Sequence, residues 1–223
     1  MVGRRCRAAL NQGEAAASPY QTMKHPGWRA KKLRAAAGGS GYSGRTVNNV
    51  RTIHNLALVG FMGTGKSTIG RIVAEQMQFG FVDTDELIEE QIGRSISDIF
   101  AREGEAAFRQ YEKQALEGLG RQRNLVIAAG GGLAVDPANM ESLKAHALVV
   151  WLVAAPETIW ERVQTQTHRP LLQGPDPMGK IRQLLAAREP AYRQADVFIH
   201  SALRAPREVA QQIAHQFHDA RKQ

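Results

Sequence analysis

The chain has 223 residues, 43% of them hydrophobic, which suits one domain with a sizeable core, or one domain and a tail. Its net charge of +8 points toward nucleic acid or an acidic surface as partner, unless that charge is confined to one segment. A single cysteine, Cys6, excludes an intrachain disulfide, and neither a run of 18 apolar residues nor the apolar core of a secretory signal is present, so a soluble cytoplasmic protein is expected.

The charge is indeed confined. Residues 1–52 hold ten Lys or Arg against one acid, Glu14, whereas the rest of the chain holds 19 basic and 20 acidic residues. The segment is rich in Ala, Gly, Arg and Ser, with Gly38-Gly39-Ser40-Gly41 near its end and no sustained apolar period. It cannot bury enough surface to offset its ordering entropy, so a disordered basic extension is expected. Three origins stay open: a start codon assigned upstream of the true one, an Arg-rich transit peptide, or a basic arm that touches nucleic acid or membrane. Initiation at Met62 is excluded, because it would cut through the next motif.

From Ile53 onward short apolar strands alternate with amphipathic helices, the pattern of a parallel sheet covered on both faces. The first strand, Leu56 to Gly60, runs into Gly60-Phe61-Met62-Gly63-Thr64-Gly65-Lys66-Ser67, and a helix follows with Ile69, Ile72, Val73 and Met77 on one face. The motif matches the P-loop pattern G-x-x-x-x-G-K-S/T at every fixed position, in the required strand–turn–helix context. Such a loop turns successive N–H groups and the positive helix end toward phosphate oxygens. Gly63, Thr64, Gly65, Lys66, Ser67 and Thr68 are therefore candidate ATP-binding residues, with Lys66 on the outer phosphates and Ser67 a candidate Mg²⁺ ligand.

The second strand, Phe79 to Asp83, delivers Asp83-Thr84-Asp85 to the edge that faces the P-loop in a doubly wound sheet. One carboxylate there could support Mg²⁺ and the other could take or orient a proton; alternatively, one of them caps the next helix. Ser95 with Asp98 resembles a capping box, and Asp136-Pro137, Ala155-Pro156 and Ala205-Pro206 mark further helix starts. The remaining strands are expected at Leu125 to Ala129, Leu148 to Val153 and Val197 to His200. Residues 167–179 hold three prolines and two glycines between helical patterns, and read as a mobile lid. Trp151 and Trp160 fit core packing, and His215 with His218 supply too few ligands for a metal.

The string Gly104-Glu105-x-x-Phe108-Arg109-x-x-Glu112, joined to the P-loop and Asp83-Thr84-Asp85, resembles shikimate kinase, a small nucleoside-monophosphate-kinase-like family. Gly130-Gly131-Gly132, Arg169-Pro170-Leu171-Leu172 and Arg188-x-x-x-Tyr192-x-x-Ala195-Asp196 follow in that family's order and spacing. The likeness covers residues 53 to about 218 and rests on the ordered set. It implies a three-layer αβα P-loop kinase fold with a five-stranded parallel sheet in the order 2-3-1-4-5.

It further implies transfer of the γ-phosphoryl of MgATP to the 3-hydroxyl of shikimate. In that reading Lys66, Asp85 and Arg169 are catalytic, and Asp85, Arg109, Gly131, Gly132 and Arg188 bind the acceptor. Arg162, Arg169 and Arg204 join the P-loop around ATP, while Ser67 and Asp83 hold Mg²⁺. Two guanidinium forks suit a planar carboxylate, and Glu112 would lock Arg109 by an i, i+3 pair. Ala129 stands where family members often carry Ser or Thr, which removes a hydroxyl contact. Two other readings stay open, a small-metabolite kinase of the gluconate-kinase kind and a non-catalytic ligand sensor. A DNA-contacting sensor would need a folded helix-turn-helix that residues 1–52 do not supply, so nucleic acid is not an expected partner; a monomer is expected.

Overall fold

Five parallel strands set the frame: β1 (Asn55–Val59), β2 (Gly80–Asp83), β3 (Leu125–Ala128), β4 (Ala147–Val153) and β5 (Val197–His200). They stand in the order β2-β3-β1-β4-β5, as expected. The computed structural model describes residues 51–164 and 175–222. Helices α1 (Lys66–Met77), α2 (Thr84–Ile92), α3 (Ile96–Leu119), α4 (Pro137–His146), α5 (Pro156–Val163), α6 (Pro177–Tyr192) and α7 (Pro206–Ala220) connect and cover the strands.

Alternation along the strands feeds two cores. Ala57, Val59, Ile127, Val149, Trp151 and Val153 face α3 to α6, whereas Leu56, Leu58, Val126, Leu148, Val150 and Leu152 face α1 and α7. Both faces of β1 and β4 are thus buried, which is why these strands read as continuous apolar runs. Each fully buried aliphatic side chain contributes about 1.5–3 kcal/mol over its exposed state. Trp151 lies in this core and Trp160 packs against it, as expected.

Helix starts follow the local signals. Ser95 Oγ accepts from Asp98 N at 3.1 Å, and Asp136 Oδ1 accepts from Ala138 N at 2.8 Å ahead of Pro137. Glu208 reaches back to accept from Ala205 N at 3.0 Å, anchoring α7. The long α3 is broken at Gly104, whose φ of 81° and ψ of 176° belong to glycine alone. That break aims the following stretch, with Arg109 and Glu112, independently of the first turns.

One boundary differs from expectation. Pro177, Met178 and Gly179 form the first turn of α6 and do not belong to the loop at 167–179. Asp176 Oδ1 accepts from Gly179 N at 2.8 Å and Pro177 occupies the first helical position, the same start signal used by α4. Residues 165–174, with Arg169, lie outside the described residues, as do residues 1–50.

The amino-terminal edge of the sheet is closed by a polar network. Asn55, fully buried, donates from Nδ2 to Gln122 O at 2.8 Å and accepts at Oδ1 from Leu125 N at 3.0 Å. The same Nδ2 meets His146 Nδ1 at 3.1 Å. Arg51 pairs with both oxygens of Asp196 at 2.8 Å, and Asp196 Oδ2 also accepts from Val149 N.

Candidate active site

The opposite, carboxyl-terminal edge carries an open cleft of about 630 Å³, with Gly63, Lys66, Ser67, Asp83, Asp85, Gly131 and Arg162 in its wall. On the nucleotide side, Gly60, Gly63 and Gly65 all have positive φ (138°, 74° and 91°). A side chain on Gly60 would stand 2.6 Å from Leu152 O and one on Gly63 2.8 Å from Val163, so the loop needs glycine for space as well as for conformation. Thr64 is buried and holds the turn through its hydroxyl, which donates to Phe61 O at 2.8 Å. Lys66 Nζ donates to Gly60 O and Phe61 O at 2.9 and 3.0 Å, lying over the loop. Thr68 also lines the cleft.

Ser67 Oγ donates to Asp83 Oδ2 at 2.6 Å, which brings the two expected Mg²⁺ residues together across α1 and β2. The other oxygen, Oδ1, accepts from Asp85 N at 3.0 Å and caps α2. Asp83 therefore caps a helix, one of the alternatives the sequence offered, and also faces Ser67. A hydroxyl and a carboxylate at a helix N-terminus form a hard-oxygen pair that suits Mg²⁺, which keeps waters and phosphate oxygens for its remaining positions. No cluster of three or more His, Cys, Asp or Glu side chains poised for a metal occurs among the described residues.

The acceptor side is assembled from α2, α3, the glycine turn after β3, and α6. Asp85 presses against the turn: a side chain at Gly130 would collide with its Oδ1 at 2.3 Å. Thr84 Oγ accepts from Gly130 N at 2.8 Å and fixes the turn from beside it. Arg109 lies against Gly132, where an added Cβ would stand 2.9 Å from its NH1. Arg188 NH1 donates to Gly131 O at 3.1 Å, and its guanidinium sits 5.5 Å from the Phe61 ring centre. Asp85, Arg109, Gly131, Gly132 and Arg188 thus meet around one turn although they come from four separate parts of the chain.

Arg109 is held from both ends. It donates to Glu112 at 2.7 Å, the expected i, i+3 pair, and to Glu105 at 2.7 Å, a partner not foreseen. Glu112 is buried, and burial pushes its carboxyl above the usual carboxylate range while Arg109 pulls it back.

The arginines expected to join the P-loop around ATP are spread wider. Arg162 bridges Gly63 O at 3.1 Å and Ser201 O at 3.3 Å and lines the cleft together with Pro206. Arg204 is exposed and donates to Gln212 at 3.4 Å, outside the cleft wall. Ala129 is buried at the cleft floor. His215 faces Asp219 at 3.2 Å on the exposed end of α7.

The family model for shikimate kinase matches residues 62–218, which takes in the P-loop from Met62 onward, both aspartates, the glycine turn and α6. The chain belongs to the shikimate kinase family. Members of this family are ATP-dependent kinases that phosphorylate shikimate. Among its relatives, the shikimate kinase of Symbiobacterium thermophilum is 48% identical over 143 residues, covering 63% of this chain and 82% of that one. That of Caldanaerobacter subterraneus subsp. tengcongensis is 43% identical over 159 residues, 71% of this chain and 93% of the relative. The structure of shikimate kinase from Acinetobacter baumannii in complex with shikimate superposes with a TM-score of 0.72 at 38% identity, covering 78% of this chain and 97% of that chain. A gluconokinase from Sinorhizobium meliloti 1021 shares the fold at 16% identity and a TM-score of 0.52, which speaks for the fold alone.

Proposed function

We propose that this enzyme moves the γ-phosphoryl of ATP to the 3-hydroxyl of shikimate, giving shikimate 3-phosphate and ADP, through residues on the cleft wall and around the glycine turn that borders it. The single observation that carries the assignment of roles is the meeting of Asp85, Arg109 and Arg188 around the glycine turn, next to the P-loop. Two cationic forks beside one carboxylate suit an acceptor that has both a carboxylate and a hydroxyl.

In this reading Arg109 and Arg188 grip the shikimate carboxylate, while Gly131 and Gly132 let the ring approach the backbone. Asp85 aligns the acceptor hydroxyl and takes its proton as the new oxygen–phosphorus bond forms and the bond to the ADP oxygen breaks. Lys66 leaves its two carbonyls to hold the outer phosphates, and Arg169, which lies outside the described residues, offsets charge on the transferring group. Arg162 and Arg204 border the nucleotide. Ser67 and Asp83 would hold Mg²⁺, which when bound neutralises phosphate charge. The lid expected at 167–179, shortened to end before α6, would close over the phosphates and exclude water. The enzyme works as a cytoplasmic monomer in this reading, and no helix among the described residues is long and apolar enough to cross a membrane.

The test is Asp85→Asn in the full chain, assayed for turnover and, separately, for shikimate binding by calorimetry. Turnover is expected to fall about 10²–10⁴-fold, the span of positioned proton-transfer groups, with binding largely retained. Near wild-type turnover in the variant would remove Asp85 from its role.

A further inference from the structure

Tyr192 is fully buried and is the largest such side chain among the described residues. Phenylalanine would fill the same space, so the hydroxyl needs its own explanation; a buried Tyr O–H finds a hydrogen-bond partner. Here it donates to Gly131 O at 2.5 Å. Arg188, one helical turn earlier on α6, donates to the same carbonyl at 3.1 Å. Beneath the phenol ring lies Trp151, with ring centres 6.0 Å apart.

Three features give this contact a reach beyond the core. Both lone pairs of the Gly131 carbonyl are occupied, and because the peptide is planar this fixes the orientation of the Gly132 N–H as well. The turn consists of three glycines, which have the most conformational freedom to lose and no side chain with which to anchor themselves. Its two outer glycines are in contact with Asp85 and Arg109.

We propose that Tyr192 is a positioning residue for the acceptor: its hydroxyl clamps the Gly131–Gly132 peptide and the Arg188 guanidinium into one rigid unit that receives the shikimate carboxylate and ring. The proposal rests on the acceptor assignment above. It makes the Arg188-x-x-x-Tyr192 spacing functional, since i and i+4 lie on one helix face and let both residues reach one carbonyl. Tyr192 touches no reacting atom, so its loss acts on acceptor affinity rather than on nucleotide affinity. Burial pushes its phenol above the ordinary value, which keeps the proton on the donor throughout the working range.

The experiment is steady-state kinetics of the full chain with Tyr192→Phe, with Trp151→Phe as a control that disturbs the packing under the ring and spares the hydroxyl. For Tyr192→Phe the shikimate KM is expected to rise up to about tenfold, the upper end for one lost neutral hydrogen bond, with kcat reduced much less and the ATP KM unchanged. Trp151→Phe is expected to leave the shikimate KM near wild type. In an Arg188→Lys background the further effect of Tyr192→Phe is expected to shrink, because the two residues act as one unit. An unchanged shikimate KM in Tyr192→Phe, an equal rise in both KM values, the same rise in Trp151→Phe, or a Tyr192→Phe chain unable to fold would each overturn the proposal. Wild-type protein inert toward shikimate would instead refute the acceptor assignment itself.

Discussion

The two edges of the sheet are both rich in polar groups, and they use them in opposite ways. At the amino-terminal edge Asn55 satisfies Gln122 O, Leu125 N and His146 at once, and Asp196 joins Arg51 to the backbone of β4. Those groups spend most of their hydrogen bonds on one another, with Arg51 Nε, His54 Nδ1 and His146 Nε2 left buried without a partner, and the edge is closed. At the carboxyl-terminal edge Lys66, Ser67, Asp83 and Asp85 line an open cleft. Their contacts within the chain, such as Lys66 on two carbonyls, are of a kind that a phosphate can replace. One edge thus secures the strands, and the other keeps charged groups available for chemistry.

The comparison breaks if a change at one edge produces the other edge's effect. The largest expected effect is at the cleft: Lys66→Met should lower kcat about 10²–10³-fold, the scale for losing one preorganised charge-stabilising donor. Thermal unfolding should show its Tm close to wild type. A large loss of stability in that variant would mean that Lys66 chiefly ties the loop together.

At the closed edge Asn55→Ala leaves the buried Leu125 N–H and His146 Nδ1, and the part-buried Gln122 carbonyl, without their partner. A cost of about 2–4 kcal/mol is expected in urea unfolding, from more than one unsatisfied group, with kcat preserved in the folded fraction. A kcat loss without a stability loss would contradict the division of labour.

The smallest effect sharpens the picture through pH. Asn55 Oδ1 is committed to Leu125 N, so its amide N–H₂ faces His146 and Nδ1 of that ring must accept. Burial first, then the charges of His54 and Arg51, hold the His146 pKa below the ordinary 6.5. The unfolded chain therefore takes up a proton near pH 6.5 before the folded one does, so stability is full above that value and falls as pH drops below it. His146→Gln should shallow this decline without abolishing it, because His200 is also lowered by burial. An unaltered slope between unfolding curves at successive pH values would remove His146 from the network.

Legibility followed the same division. All five strands lie within one residue of their sequence-based positions, because buried parallel strands read as apolar runs between glycine, proline and capping signals. The nucleotide half was legible for a similar reason: its residues are contiguous and its work is done by backbone. The expected acceptor half joins distant segments: Asp85 was legible from its place at the end of the second strand, whereas Arg109 and Arg188 became readable only as part of an ordered set that resembled a family. Tyr192 appeared in that set without a role, since spacing does not tell where a buried hydroxyl points. Asn55 carried no signal at all; an asparagine opening a strand is not marked as the hub of three contacts. The start of α6 was hidden by density of proline and glycine, although Asp176-Pro177 repeats the signal that located α4.

The most direct test of the account is ADP release by the full chain with MgATP, measured with shikimate, with gluconate and with no acceptor, and with the phosphorylated product identified by phosphorus NMR. The account predicts ADP release that depends on shikimate and a matching amount of shikimate 3-phosphate, with gluconate no better than no acceptor. Acceptor-independent release, or turnover with gluconate in place of shikimate, would contradict it.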